Sequence, residues 1–209
     1  MTVTHSVKTL GVVLDDRLTL SDHVNYSIQK ALGRLRALYR FRDLLPEPAK
    51  LQIVQSLILP IFQYCYPAYG NSISIPDSTR IQRMQNTCIR FVYHLRRYDH
   101  VSAHREEAGL LPMDAVCRVL TCCTIHKVLT LGEPQYLRDR LQFREEVNLC
   151  RTRQNRRLHF PRVALELGRK SFSFFGPQLY NALPEDIRNT ISCCTFKKKL
   201  KKYIVNNRN

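Results

Sequence analysis

The chain has 209 residues, 44% of them hydrophobic and 24% charged, a globular composition rather than a disordered one, sized for one domain or one domain with a small appendage. No stretch approaches the roughly 20 uninterrupted apolar residues of a membrane span, because Leu51 to Tyr69, the longest apolar region, is broken by Gln52, Gln55, Ser56, Pro60 and Gln63. Thirty-three Lys and Arg against seventeen Asp and Glu leave a net charge of +16, which favours a polyanionic partner through phosphate neutralisation and counterion release.

Val7-Lys-Thr-Leu-Gly-Val-Val-Leu-Asp15 is a β-rich run broken by Gly11, and it predicts a strand or tight hairpin. Ser21 or Asp22 is placed to cap a following helix. Val24, Ile28, Ala31, Leu32, Leu35, Leu38 and Tyr39 then repeat at helical spacing, predicting an amphipathic helix over 22–44. Its apolar stripe is flanked by Lys30 and Arg34 on one side and by Arg36 and Arg40 on the other.

Pro46 suits the first residue of a second helix. Leu51, Ile53, Val54, Leu57, Ile58 and Ile61 cover most of its circumference, so this helix is expected to be buried, with a kink at Pro60. A third helix is predicted from Asp77 to Leu95. Steps of about 100° put Ile81, Met84, Cys88, Val92 and Leu95 on one face, with Arg80, Arg83, Thr87 and Arg90 on a neighbouring one.

A polar turn over 96–100 leads into a short helix near 101–108. A fourth long helix over 113–131, apolar nearly all round, ends at Gly132-Glu-Pro134. Arg138 to Arg162 reads as a charged linker with a strand at 158–163, and five of its arginines lie between Arg151 and Arg162 without an acid. The last segment carries Phe172, Phe174, Phe175 and Leu179, then a final helix. That helix has Phe196, Leu200, Tyr203 and Ile204 on one side and Lys197, Lys198, Lys199, Lys201 and Lys202 over the rest.

Several chemistries find little support. Asp15-Asp16 is the one adjacent acidic pair at a strand end, but two-metal catalysis needs carboxylates from at least two places in a sheet, so a turn and helix-start role is expected. The eight cysteines form no Cys-x-x-Cys, which argues for reduced thiols over a disulfide framework or zinc ribbon. Cys122 and His126 are four apart and could share a metal, yet free cysteine is more simply a small core residue. There is no phosphate-binding glycine loop, and no secretory signal is expected from Met1-Thr-Val-Thr-His-Ser. The best constellation from residues alone is the Arg80, Arg83 and Arg90 face.

Several short blocks together resemble the post-catalytic end of reverse transcriptases of non-LTR (LINE-type, jockey-like) retrotransposons. Val7 to Asp15 resembles the "YLGV-x-LD" primer-grip block, with Thr9 where an aromatic is common. Leu18-Thr-Leu-Ser-Asp-His-Val24 is similar to "LxFxxHI", and Leu59-Pro-Ile-Phe-Gln-Tyr-Cys-Tyr66 to "xxSxLxYC". Ile81 to Arg90 resembles "LQxxQNxxxR". Phe174 to Pro184 resembles "F-x-x-x-P-x-L-W-N-x-L-P", with Tyr180 for the usual Trp, and Phe196 to Tyr203 is similar to the closing "FKxxLKxYL".

The resemblance implies a mainly α fold with a short N-terminal β-hairpin, a thumb-like bundle of about four helices and a small mixed C-terminal module. Residues 1–19 would end the palm and carry the primer grip, 20–132 would be the thumb, 133–165 a basic linker and 166–209 the module with its basic terminal helix. The thumb of such enzymes closes on an RNA/DNA template–primer duplex, and the cations that would serve it here are Lys8, Arg17, Lys30, Arg34, Arg80, Arg83, Arg90, Arg96 and Arg97. The catalytic palm with its aromatic-x-Asp-Asp box, the fingers and the magnesium would belong to the same polyprotein upstream. By itself the chain is therefore expected neither to polymerise nor to need a cofactor, to bind no membrane, and to be nuclear and cytoplasmic. The alternatives are a non-functional truncated remnant of such an element, or a domesticated basic adaptor that binds RNA or chromatin.

Overall fold

Residues 5–147 and 157–207 are described by a computed structural model, which is mainly helical with a two-stranded antiparallel hairpin at its start. Strands β1 (Ser6–Thr9) and β2 (Val12–Asp15) pair from Ser6 with Asp15 to Thr9 with Val12. That register leaves a two-residue loop, Leu10-Gly11, in which both φ angles are positive, 48° and 86°. Such mirror-image turns match the twist of the flanking strands, and glycine at the second position adopts them without a Cβ penalty.

Helix α1 (Ser21–Tyr39) stops five residues short of the end expected from periodicity, and residues 40–45 form turns. Neither Ser21 nor Asp22 caps it: the cap position is Leu20, in the left-handed region and without a side-chain cap. Asp15 serves the turn before it, accepting from the Thr19 amide at 2.7 Å, the Leu20 amide at 3.3 Å and the Thr19 hydroxyl. The buried stripe of α1 is His23, Val24, Ser27, Ala31 and Leu35. Ile28, Leu32 and Leu38 are only half-buried and Tyr39 is exposed.

The second predicted helix is divided. Pro46 is its cap rather than its first residue, and α2 (Glu47–Ile53) runs into a π-helical turn (Val54–Ile58) and then α3 (Leu59–Gln63). Proline at 60 lacks an amide proton and its ring crowds the carbonyl four residues back, so the ladder widens one turn upstream of it. The Arg34 guanidinium donates to the Leu57 carbonyl within this irregular stretch. The segment is not buried all round: Val54, Ile58, Leu59 and Phe62 are in the core, whereas Leu57 is 50% exposed.

After α4 (Tyr66–Tyr69), helix α5 (Ile75–Val92) begins at Ser74, whose hydroxyl accepts from the Asp77 amide at 3.2 Å. Its core face has Ile81, Met84, Cys88 and Val92, as its spacing predicts, joined by Gln85, Ile89 and Phe91, whereas Leu95, expected on the same face, lies beyond the end of the helix and is half-buried. Helices α6 (Ser102–Glu107) and α7 (Met113–Leu131) follow, and Gly132 closes α7 at φ 73°. Gln82 and Gln85 are structural here. The Met113 amide donates to Gln82 Oε1 at 2.9 Å, satisfying one of the four orphan donors of a helix start, and Gln85 Nε2 donates to the Leu111 carbonyl at 2.8 Å.

The chain divides into two compact units, one of residues 5–66 and 73–116, the other of 67–72 and 117–207, so the division falls inside α7. The first unit's core is built from α1, the π-interrupted segment and α5.

The second unit adds α8 (Gln135–Arg138), α9 (Arg144–Val147), α10 (Glu166–Lys170), α11 (Phe172–Asn181), α12 (Glu185–Arg188) and α13 (Cys193–Asn206). In place of the strand expected at 158–163 there is one antiparallel bridge, Phe143 with Leu158. The arginines at 151, 153 and 156 lie outside the described residues. Asn181 clasps the bridge from α11, accepting from the Leu158 amide at 2.9 Å and donating to its carbonyl at 2.8 Å. Gly176 lets α11 approach α7: a Cβ there would lie 2.8 Å from Ile125 Cδ1. On α13 the apolar side is anchored by Phe196 and Leu200, both fully buried, while the lysines are exposed.

Candidate nucleic-acid interface

The hairpin and α1 bring three of the predicted cations into one cleft. Lys30 and Arg34 are one turn apart on α1, so they project from the same side of the helix. Lys8 reaches them from β1, donating to the Tyr26 hydroxyl at 3.0 Å with its Nζ 4.5 Å from that ring's centre. Lys30 lies 6.0 Å from the same ring, within cation–π range. On the far side Tyr64 donates to the Leu10 carbonyl at 2.7 Å and packs against Gly11, where a Cβ would lie 3.2 Å from Tyr64 Cε1. The result is a cleft of about 370 Å³ lined by Lys8, Lys30, Arg34, Tyr26, Tyr64 and five neutral neighbours, without an acidic side chain.

The electrostatics agree with the geometry. The Lys8 hydrogen bond, then its charge and that of Lys30, hold the Tyr26 phenol below its usual value. His23 at the back of the cleft accepts from the Val13 amide on Nδ1 at 3.4 Å, which needs a neutral ring, and burial pushes its pKa down in the same sense.

The other predicted cations do not join this cleft. Arg80 is tied to the Asp77 carboxylate at 3.0 Å and to Asn25 Oδ1 at 2.5 Å. Arg90 braces the turn after α5, donating to the carbonyls of Arg96 and Asp99 at 3.3 Å each. Arg96 and Arg97 sit exposed in that turn, with Arg97 5.8 Å from the Tyr98 ring centre. Arg17 is exposed before α1, and Arg83 is the exposed member of the α5 arginine face. Sequence reasoning passed over Tyr26 and Tyr64, although Tyr26 stands four residues before Lys30, a spacing that places both on one helical side.

Asp15 is engaged in the turn before α1. Desolvation opposes its charge, but the bonds from the Thr19 hydroxyl and from the Leu20 and Thr19 amides hold the carboxyl below the usual range. Among the described residues no group of three or more His, Cys, Asp or Glu side chains is placed to hold a metal ion, and no helix is long and apolar enough to cross a membrane. No protein-family model, curated protein or solved structure matches the chain.

Proposed function

We propose that the chain is the primer-grip and thumb portion of a non-LTR retrotransposon reverse transcriptase, and that its first unit holds a template–primer duplex of RNA and DNA. The observation that carries this reading is the convergence of Lys8, Lys30 and Arg34 with Tyr26 and Tyr64 on a cleft free of carboxylates. The cations face a strand's phosphates, and the two tyrosines offer apolar surface to sugars with hydroxyls at the rim. Contacts of that kind position a duplex without reading its sequence, as a polymerase thumb requires. The net charge of +16 acts in the same direction at longer range. Under this reading no residue of the chain is catalytic, and the carboxylates and magnesium of the reaction belong to the palm of the same polyprotein.

The test is hybrid-duplex binding by Lys30→Glu/Arg34→Glu over a series of salt concentrations. Binding is expected to weaken, and the slope of log affinity against log salt to fall by about two, one for each phosphate that is no longer neutralised. Unchanged affinity and slope would remove the assignment.

A further inference from the structure

The second unit has a cleft that duplex holding does not use. Its volume, about 770 Å³, lies inside the roughly 300–1,000 Å³ range of small-ligand sites. Phe160 and Phe174 form one wall, with ring centres 5.3 Å apart and planes at 68°, so one ring offers a face where the other offers an edge. Arg162, Arg169 and Lys170 stand around them, and Glu166 is the one carboxylate in the lining. Arg162 and Arg169 are exposed and have no ion pair among the described residues.

The backbone that carries these cations is tied down, while the guanidinium groups of Arg162 and Arg169 stay exposed. The Ser171 hydroxyl donates to the Gly168 carbonyl at 2.7 Å, and Asn71 donates to the Lys170 carbonyl at 3.3 Å, which fixes the end of α10. A Cβ on Gly168 would lie 3.2 Å from the Val163 side chain, so this glycine lets the helix sit close against the segment that carries Arg162.

We propose that this cleft takes one unpaired nucleotide of a nucleic-acid strand, its base against Phe160 and Phe174 and its phosphate on Arg162 and Arg169. Aromatic rings beside planar guanidinium groups fit a ligand that is flat at one end and anionic at the other, and base–aromatic stacking is indifferent to sequence. An acidic peptide would use the cations and leave the rings idle. The proposal is independent of the duplex reading, which concerns the first unit.

The experiment is ultraviolet crosslinking of the full chain to a single-stranded oligonucleotide carrying one 4-thiouridine, with peptides mapped by mass spectrometry and affinity measured alongside. Crosslinks are expected on the peptides that contain Phe160 and Phe174. Arg162→Glu/Arg169→Glu is expected to lower single-strand affinity about tenfold, as is Phe174→Leu through weakened stacking. The two arginines are on the surface, so an unchanged thermal transition in the double variant separates a binding defect from a folding defect. Lys30→Glu/Arg34→Glu is expected to leave these crosslinks in place, which distinguishes this site from the first. Crosslinks confined to the first unit, or single-strand affinity unaltered by the double variant, would overturn the proposal. So would displacement by polyglutamate as effective as by a competing oligonucleotide, or a mononucleotide binding as tightly as the strand.

Discussion

Arg80 donates to the Asp77 carboxylate at 3.0 Å, with the Asp77 side chain only 7% exposed. The same carboxylate accepts from the Ser21 hydroxyl at 2.7 Å and the Ser74 hydroxyl at 2.9 Å, and Arg80 continues to Asn25 on α1. An arginine on the cationic face of α5 thereby serves as a tie between α1 and α5, while its neighbour Arg83 stays exposed.

That difference separates two arginines which a helical wheel treats alike. Asp77→Ala takes the acceptor from the Ser21 and Ser74 hydroxyls and from the Arg80 guanidinium at once, and the expected loss is about 1–3 kcal/mol of stability in urea unfolding. Arg80→Ala is expected to cost a similar amount, and Arg83→Ala to stay within about 0.5 kcal/mol. Burial opposes ionisation of Asp77, but Ser21, Ser74 and Arg80 outweigh it and hold the carboxyl below its usual range. Its contribution is therefore present above the unfolded carboxylate value and lost as pH falls through the depressed folded one. Asp77→Asn is expected to flatten that acid limb; equal midpoints for the Arg80 and Arg83 variants would refute the tie.

Thiol reactivity follows burial in the same direct way. Burial pushes the Cys88 thiol up to about 12, and burial followed by the neighbouring Cys123 and Cys117 pushes Cys122 up to about 12. Cys65, Cys193 and Cys194 are exposed. Mild alkylation of the native chain is expected to label those three and spare Cys88 and Cys122 until denaturant is added. Native labelling of Cys88 would show that the α5 core face opens readily.

How much of this the sequence contained depends on the range of each interaction. Helix α7 was legible because Pro112 and Gly132 bracket a stretch that is apolar nearly all round. Ile81, Met84, Cys88 and Val92 on the core face of α5 followed from spacing, whereas Leu95 fell beyond the end of the helix. The role of Asp15 as the cap of a turn was legible in kind, since Asp is favoured there, whereas the failure of Ser21 as a helix cap was not. Ser21 is drawn instead to Asp77, 56 residues away, and no local rule anticipates that. The cleft divides likewise: Lys30 and Arg34 were already paired by their spacing, but Lys8 joins them only once the hairpin folds against α1. Phe160, Arg162 and Arg169 sat in a stretch without periodicity, so nothing short of the fold could gather them.

A buried amine offers a test of packing in the first unit. Lys50 is 1% exposed, with Nζ 2.6 Å from His94 Nε2 and 3.3 Å from the Arg42 carbonyl. Removing His94 leaves a buried polar head with one partner fewer, and His94→Ala is expected to cost about 1–3 kcal/mol. Lys50→Met fills the same volume without a charge to desolvate, so it is expected to be neutral or stabilising. In Lys50→Met/His94→Ala the cost of losing His94 is expected to shrink, because the group it served is gone. Additive losses in the double variant would mean that the two side chains do not act on each other.

The second unit is expected to weaken in mild acid through His126. Its ring lies parallel to Phe196 at 3.8 Å, and its Nδ1 is 3.0 Å from the Tyr180 hydroxyl. Burial pushes its pKa below the ordinary 6.5, and the backbone of Thr190 opposes this only in part. Between the ordinary and the depressed value the unfolded chain binds a proton that the folded ring refuses, so stability is full above 6.5 and falls as pH drops through that window. His23 is depressed by burial as well, so the first unit carries a parallel dependence and the two must be separated by mutation. Amide hydrogen exchange of α11 and α13 at about pH 7.5 and about pH 5.5, corrected for intrinsic rates, reads the second unit alone. Protection there is expected to fall in the wild-type chain and to hold in His126→Gln, which cannot take up the proton. If protection falls equally in both, His126 is not the group that titrates.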